Sequence, residues 1–264
     1  MGLISFFLLA ILREYLPHFT MSGIFQTVLY QPIFNAFVAL YNLIPDVGIV
    51  ILVVTVLVKL ILYPLTNKSI KAQQSLSALQ PKMQELKEKY KGDQQTLAQE
   101  TMKLYKNHKV NPLGSCLPLL IQLPIFIAIY MVMRAGLTGQ NFDLLYSFVP
   151  SPGTINPISL GFLNLVNPSI PLAILAGIAQ FWQAKTMSRK RPPKKAGEGS
   201  KDEDMMAMMN KQMLYVMPVL TVIIGFRLPG GLALYWFVST LLTALQQYWV
   251  GRKHKDHEDG VVVM

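Results

Sequence analysis

The chain is 264 residues long, 52% hydrophobic and 14% charged, with a mean hydropathy of +0.37 and a formal net charge of +10. That balance excludes a soluble domain and describes one membrane domain of several helices joined by modest loops. Lysine and arginine concentrate in 67–111, 185–211 and 252–255, beside apolar stretches, which is the placement of cytoplasmic loops rather than of a nucleic-acid surface.

Residues 1–12 (MGLISFFLLAIL) are apolar but too short to span, and lack a basic leader and a clear cleavage site; signal, anchor and embedded end all stay open. Residues 22–44 put Thr27, Gln31, Asn35 and Asn42 on one helical face, with Phe34, Phe37, Val38 and Tyr41 elsewhere. An uncharged, aromatic-rich helix with a polar stripe reads as an external helix lying in the membrane interface.

The stretch 47–63 is almost unbroken Val, Ile and Leu, apolar on every face, and reads as the first span, running up to Pro64. Within it, Thr55 and Lys59 are four residues apart and share a helical face. A lysine at a helix centre costs about 2.5–3.5 kcal/mol on insertion scales, so something must offset it. Two roles fit: a stem snorkelling to the cytoplasmic interface, or a cation held in a hydrated cavity.

Composition changes abruptly after Pro64. Residues 67–111 are rich in Lys, Gln and Glu, with Leu79, Met83, Leu86 and Tyr90 forming an amphipathic stripe and Leu97, Met102, Leu104 and Tyr105 a second one. Pro81 suits a helix start, and Lys91-Gly92-Asp93 is a turn signal, so the segment is predicted to be a cytoplasmic helical hairpin.

A second span follows over 113–133, containing Pro118, Gln122 and Pro124 and ending at Arg134. Residues 136–168 form an external loop with Pro-Gly and Asn-Pro turns, and Phe142, Tyr146 and Phe148 suit the outer interface. Residues 170–184 return as a third span carrying Gln180 and Gln183. The cytoplasmic loop 187–210 is basic, then acidic, then methionine-rich, and its middle has a disordered composition; Met205, Met206, Met208 and Met209 extend the next helix along the membrane. Residues 212–226 are a short fourth span, 227–231 a tight outer turn, and 232–250 a fifth span with Tyr235, Trp236, Ser239 and Thr240. The tail 251–264 is charged and expected to be mobile. Alternation of five spans puts all three basic segments on one side, the cytoplasm, together with the C-terminus.

No catalytic constellation accompanies this layout: GxSxG, HExxH, a P-loop and paired intramembrane aspartates are all missing. The lone Cys116 permits neither a disulfide nor a CxxC site, and His18, His108, His254 and His257 are scattered, so no enzyme, cofactor or metal centre is expected. What remains is a set of polar groups spread over several spans: Thr55, Lys59, Gln122, Gln180, Gln183, Tyr235, Trp236, Ser239 and Thr240. Singly, each is an ordinary interhelical contact; together they could line one wet cavity.

The runs KLILYPLTNKSIKAQQSLSALQPKMQELKEKY and QETMKLYKNHKVNPLGSCLPLLIQLPIFIAIY resemble the YidC/Oxa membrane protein insertase family, in its bacterial five-span form. AGIAQFWQAKTM and LPGGLALYWFVSTLL extend the resemblance over 24–250. It implies an all-α integral membrane protein: an N-terminal segment with an external interfacial helix (1–46), a five-helix core with a cytoplasmic hairpin (47–250), and a cytoplasmic tail (251–264). It implies a groove open to cytoplasm and lipid with a central positive charge, at Lys59 where the family usually has arginine. Gln180 and Trp236 match groove-lining positions, with Thr55, Gln122 and Tyr235 beside them, and Thr240 replaces a common asparagine.

The function implied is insertion and chaperoning of client membrane proteins with short acidic external segments, in the bacterial cytoplasmic membrane. The ribosome and the Sec translocon are implied partners besides lipid, with no small-molecule substrate. A small transporter or channel with Lys59 lining its path is the alternative, and the amphipathic hairpin, which transport does not need, argues against it.

Overall fold

The computed structural model describes residues 23–111, 117–139, 141–188 and 212–259. Predictions that fall on 1–12, 189–210, His18 or Cys116 lie outside the described residues. Among the described residues the regular structure is helical apart from one two-stranded hairpin. In chain order it comprises α1 (Gly23–Leu43, with a π-helical turn at Gln26–Tyr30), α2 (Val47–Ala78), α3 (Gln80–Lys89), α4 (Gln94–Asn107) and α5 (Leu117–Thr138). These are followed by β1 (Ile158–Ser159), β2 (Leu163–Asn164), α6 (Ile170–Ser188), a π turn Gln212–Val216 leading into α7 (Met217–Gly225), and α8 (Gly230–Asp259). Among the described residues, Gly23–Leu43, Val47–Ala78 and Leu120–Leu137 are long and apolar enough to cross a membrane, and Leu214–Gly225 is a shorter apolar helix.

Two compact units divide the chain. One holds Met1–Val58, Gln122–Ile178 and Val219–Ser239; the other holds Lys59–Ile121, Ala179–Pro218 and Thr240–Met264.

The first unit has a continuous apolar core: Phe34, Phe37 and Val38 of α1, Val47, Val50 and Val54 of α2, Ala128 and Val132 of α5, and Leu232 of α8 are all buried. Small residues let backbones approach: a Cβ added at Gly225 would lie 2.7 Å from Ala173 Cβ and 3.2 Å from its Cα.

The polar stripe of α1 is exposed at Thr27 and Asn42, half-buried at Gln31 and buried at Asn35. It reads the backbone of the loop after α5. Asn35 is buried; its amide donates to Gln31 O and Leu144 O, and its oxygen accepts from Tyr146 N at 2.6 Å. Gln31 donates to the same Leu144 carbonyl, and Asn42 donates to Pro150 O. Loop carbonyls without a ladder partner are thereby satisfied by side chains.

Asp46 starts α2. Its Oδ1 accepts from Gly48 N and Ile49 N, as a helix cap does, and the same carboxylate accepts from Ser159 Oγ at 2.6 Å and Leu160 N at 2.7 Å. Burial alone raises its pKa, but the bonds from Leu160, Ser159, Ile49 and Gly48 outweigh that and hold it below the usual carboxylate value.

Three helices depart from their expected ends. First, α2 does not stop at Pro64; it continues to Ala78 as one helix of 32 residues, about 48 Å at 1.5 Å per residue, well beyond an apolar bilayer core. Thr66 Oγ1 back-bonds to Leu62 O and Tyr63 O beside the proline. Second, α5 runs past Arg134 to Thr138. Third, α8 runs through the expected mobile tail to Asp259.

The hairpin follows the sequence reading more closely. Pro81 lies in the first turn of α3, Gly92 adopts a φ of +95° in the turn, and Asp93 caps α4 by accepting from Thr96 N and Thr96 Oγ1. Hydrogen bonding to Thr96 draws the exposed Asp93 carboxyl below its usual pKa.

Candidate functional site

Three of the six expected site residues meet in the first unit. Gln122 of α5 donates from Nε2 to Tyr235 Oη of α8 at 2.6 Å, and the same hydroxyl bonds to Ser239 one turn on. Tyr235 is buried, so its hydroxyl needs these partners. Phe126, one turn after Gln122, packs edge-on to Trp236 with centroids 5.5 Å apart and tilts against Tyr235 at 6.3 Å. The result is an aromatic wall with one polar seam.

Thr55 lies in the same unit but is fully buried, and its hydroxyl donates to Ile51 O at 2.6 Å. It serves its own helix there, a role the shared face with Lys59 did not suggest.

Lys59 belongs to the second unit. It is half-buried, and Nζ donates to Thr243 Oγ1 of α8 at 2.9 Å. Two turns further along α2, Thr66 pairs with Gln246, whose Nε2 donates to Thr66 Oγ1 at 3.0 Å. Both α2 partners rise in number together with their α8 partners, so the two helices run parallel here, laced by side-chain hydrogen bonds. Gln180 is half-buried on α6 in this unit.

Around that lacing the second unit leaves acceptors over. Asn67 Oδ1, Gln74 Oε1 and Gln247 Oε1 are buried without a hydrogen-bond partner among the described residues. Asn67 and Gln74 are seven apart on α2, hence on one face; Gln247 adjoins Gln246 on α8. Buried amide oxygens cost about 1–3 kcal/mol each when unsatisfied, so each of the three calls for a donor, a role that water can fill. No group of three or more His, Cys, Asp or Glu among the described residues could hold a metal ion.

Thr243, Thr66, Gln246 and Gln247 were not among the expected site residues. Their signal is a spacing: Tyr235, Ser239, Thr243 and Gln246 or Gln247 recur every three or four positions along an otherwise apolar helix.

The 60Kd inner membrane protein family model matches residues 39–258. The chain belongs to this family, the YidC/Oxa insertases. It is 38% identical over 206 residues to the membrane protein insertase YidC of Fusobacterium nucleatum, covering 78% of this chain and 86% of that one. It is 36% identical to the YidC of Syntrophobacter fumaroxidans, over 78% of this chain and 34% of the relative. For the YidC of Geobacter sulfurreducens the identity is 32%, over 85% of this chain and 37% of the relative. The chain thus spans most of the Fusobacterium insertase but about a third of the two longer ones. The crystal structure of an active YidC insertase with its first transmembrane domain resolved is similar at a TM-score of 0.55 and 27% identity, over 83% of this chain and 46% of that chain. The insertases of this family are not enzymes, in keeping with a site built of amides, hydroxyls and aromatic rings.

Proposed function

We propose that this protein is a multi-pass insertase of the bacterial cytoplasmic membrane, moving client transmembrane segments into lipid without making or breaking a bond. Its relatives carry that name, and the polar lacing around Lys59 supplies the physical reason. The observation that carries the reading is Lys59, half-buried in an otherwise apolar stretch and bonded to Thr243, with Thr66 and Gln246 bonded two turns further on. A lysine that snorkels needs none of these neighbours; a hydrated groove needs all of them.

In this reading the core has five spans, and α1 packs on its outer side. The α3–α4 hairpin and the C-terminus lie in the cytoplasm, where the hairpin and basic tail receive the client, the ribosome or the Sec translocon. The groove residues of the second unit are Lys59 and Gln180, and in the first unit Gln122, Tyr235 and Trp236 form the aromatic wall with its polar seam, Thr55 being held within its own helix. Lys59 attracts an acidic residue of the client's short external segment; at ~4 Å and an effective dielectric of ~20 that attraction is about 4 kcal/mol. The fourth span is short in sequence: its apolar stretch, 212–226, lies between Lys211 and Arg227 and falls below the ~20 residues a full crossing needs, which thins the membrane where the client crosses.

Reconstitution in liposomes with a single-span client bearing an acidic external tail tests this. Lys59→Arg should insert the client nearly as well as the natural protein. Lys59→Leu should slow insertion by about thirtyfold if half of the attraction, about 2 kcal/mol, is realised in the crossing state. Equal insertion by the leucine variant would remove the charge from the mechanism.

A further inference from the structure

We propose that the β1–β2 hairpin is a lipid-seated wedge: its tip, Leu160 and Phe162, inserts at the headgroup–acyl boundary of the leaflet in which α2 begins. The surface is apolar and outward. Phe162 is 79% exposed and Leu160 63%, with Ile158 and Val166 also exposed on either side. No Asp, Glu, Lys or Arg occurs from Leu144 to Ala184, so nothing in the loop opposes entry into an apolar phase.

Two sets of bonds put this surface at the level of the membrane boundary. Asp46, which accepts from Ser159 Oγ and Leu160 N, immediately precedes Val47, and α2 is apolar from there to Tyr63 apart from Thr55 and Lys59. On the other side, Gly230 N donates to Asn167 O and Gly231 N to Leu165 O, fastening the strand leaving the hairpin to the first turn of α8. A surface pinned to the first turns of two apolar helices lies where those helices enter lipid.

The turn itself points the same way. Phe162 N closes it onto Ser159 O, with Leu160 at φ +52° and Gly161 at +81°. Asn, Asp or Gly suit the left-handed region in a turn that faces water; a branched apolar side chain there is uncommon. Leucine at this position gives the tip apolar area at the expense of backbone comfort.

Nitroxide depth measurement on the full chain in liposomes decides it. With the single cysteine replaced (Cys116→Ser), labels are placed by Phe162→Cys and, as an aqueous reference in the same loop, by Ser151→Cys. The label at 162 should be relaxed by oxygen, which partitions into lipid, and shielded from a water-soluble nickel chelate; the label at 151 should show the reverse. Chelate access at 162 equal to that at 151 would overturn the proposal. Shielding from both reagents would overturn it as well, since it means a protein neighbour covers the tip. Adding Leu160→Asn, which relieves the left-handed residue and so keeps the turn, should shift the 162 label toward the chelate; no shift would count against a wedge.

Discussion

The start of α2 and its later course are built on opposite terms. Around Asp46, in the first unit, polar groups are matched across long stretches of chain: Asp46 to Ser159 and Leu160, Asn35 to Leu144 and Tyr146, and Asn156 N donating to Tyr41 Oη at 2.8 Å. In the second unit Lys59 bonds Thr243 and Thr66 bonds Gln246, and further along the two helices the side-chain oxygens of Asn67, Gln74 and Gln247 are buried without a partner among the described residues. A polar group satisfied by its own chain stabilises the fold and is closed to outsiders. One left unsatisfied costs stability and is open to water or to a client.

The largest break in that contrast should come from Asp46→Ala. It removes a helix cap, worth about 1 kcal/mol, and the bonds that tie β1 to α2, for a loss of about 2–4 kcal/mol in all. Thermal unfolding in detergent would show it. The pH dependence has a definite sign. Asp46 has a folded pKa below its unfolded value of about 3.9, so its contribution is complete above that value and is lost as pH falls through the depressed folded pKa. The stability gap between the natural protein and Asp46→Asn should therefore be wide at neutral pH and close in the acid range below about pH 4. A gap that stays constant with pH would mean that Asp46 acts by shape and not by charge.

Gly48→Ala should come next. Alanine outranks glycine in a helix by about 1 kcal/mol, so propensity alone predicts stabilisation. The structure predicts the opposite, because the added Cβ would collide with Ser159 Oγ and lie 2.9 Å from Ser159 Cβ. A net loss of about 1–3 kcal/mol is expected, as for overpacking elsewhere, and restoring room with Ser159→Gly should recover part of it. If Gly48→Ala stabilises, the hairpin is not held where the hydrogen bonds to Asp46 put it.

On both sides of the contrast the sequence was legible only where the signal was local. The start of α2 follows from the switch at Asp46 to unbroken Val, Ile and Leu, and the α3–α4 hairpin from Pro81 and the Lys91-Gly92-Asp93 turn, all local signals. The end of α2 was not legible. Pro64 and the polar residues after it look like a boundary, yet a helix passes through when Thr66 bonds its carbonyls and Gln246 of α8 packs alongside, and no local pattern reports that partner. The β1–β2 hairpin was invisible because each strand has only two residues, too few for an alternation to register. Asn35 was legible as part of a polar stripe, but its partners were not: they are the backbone of Leu144 and Tyr146, more than a hundred residues away. For the site, Gln122, Tyr235 and Trp236 stood out as polar or aromatic groups in apolar runs. Thr243 and Gln247 did not, because a threonine or glutamine near the end of a span is commonplace.

The smallest effect on stability, and the one that separates the two regions most cleanly, should come from Gln247→Leu. Gln247 is buried, its side-chain oxygen has no partner among the described residues, and leucine is of similar length without the amide. Removing an unsatisfied buried group is neutral or stabilising, so unfolding in detergent should change by about 0–1 kcal/mol, in the stabilising direction. Insertion of the acidic-tailed client should nevertheless slow, because the variant also removes an acceptor from the wet side of the protein. A first-unit residue of equal burial cannot give that pairing of outcomes: there, each lost polar group should cost stability first and function only as a consequence. If Gln247→Leu unfolds as easily as Asp46→Ala, the oxygen is bonded in the working protein and the wet region is drier than its side chains imply. If it is stabilised and inserts clients at the natural rate, the leftover acceptors near α8 are incidental and the groove's polarity rests on Lys59 and Thr243 alone.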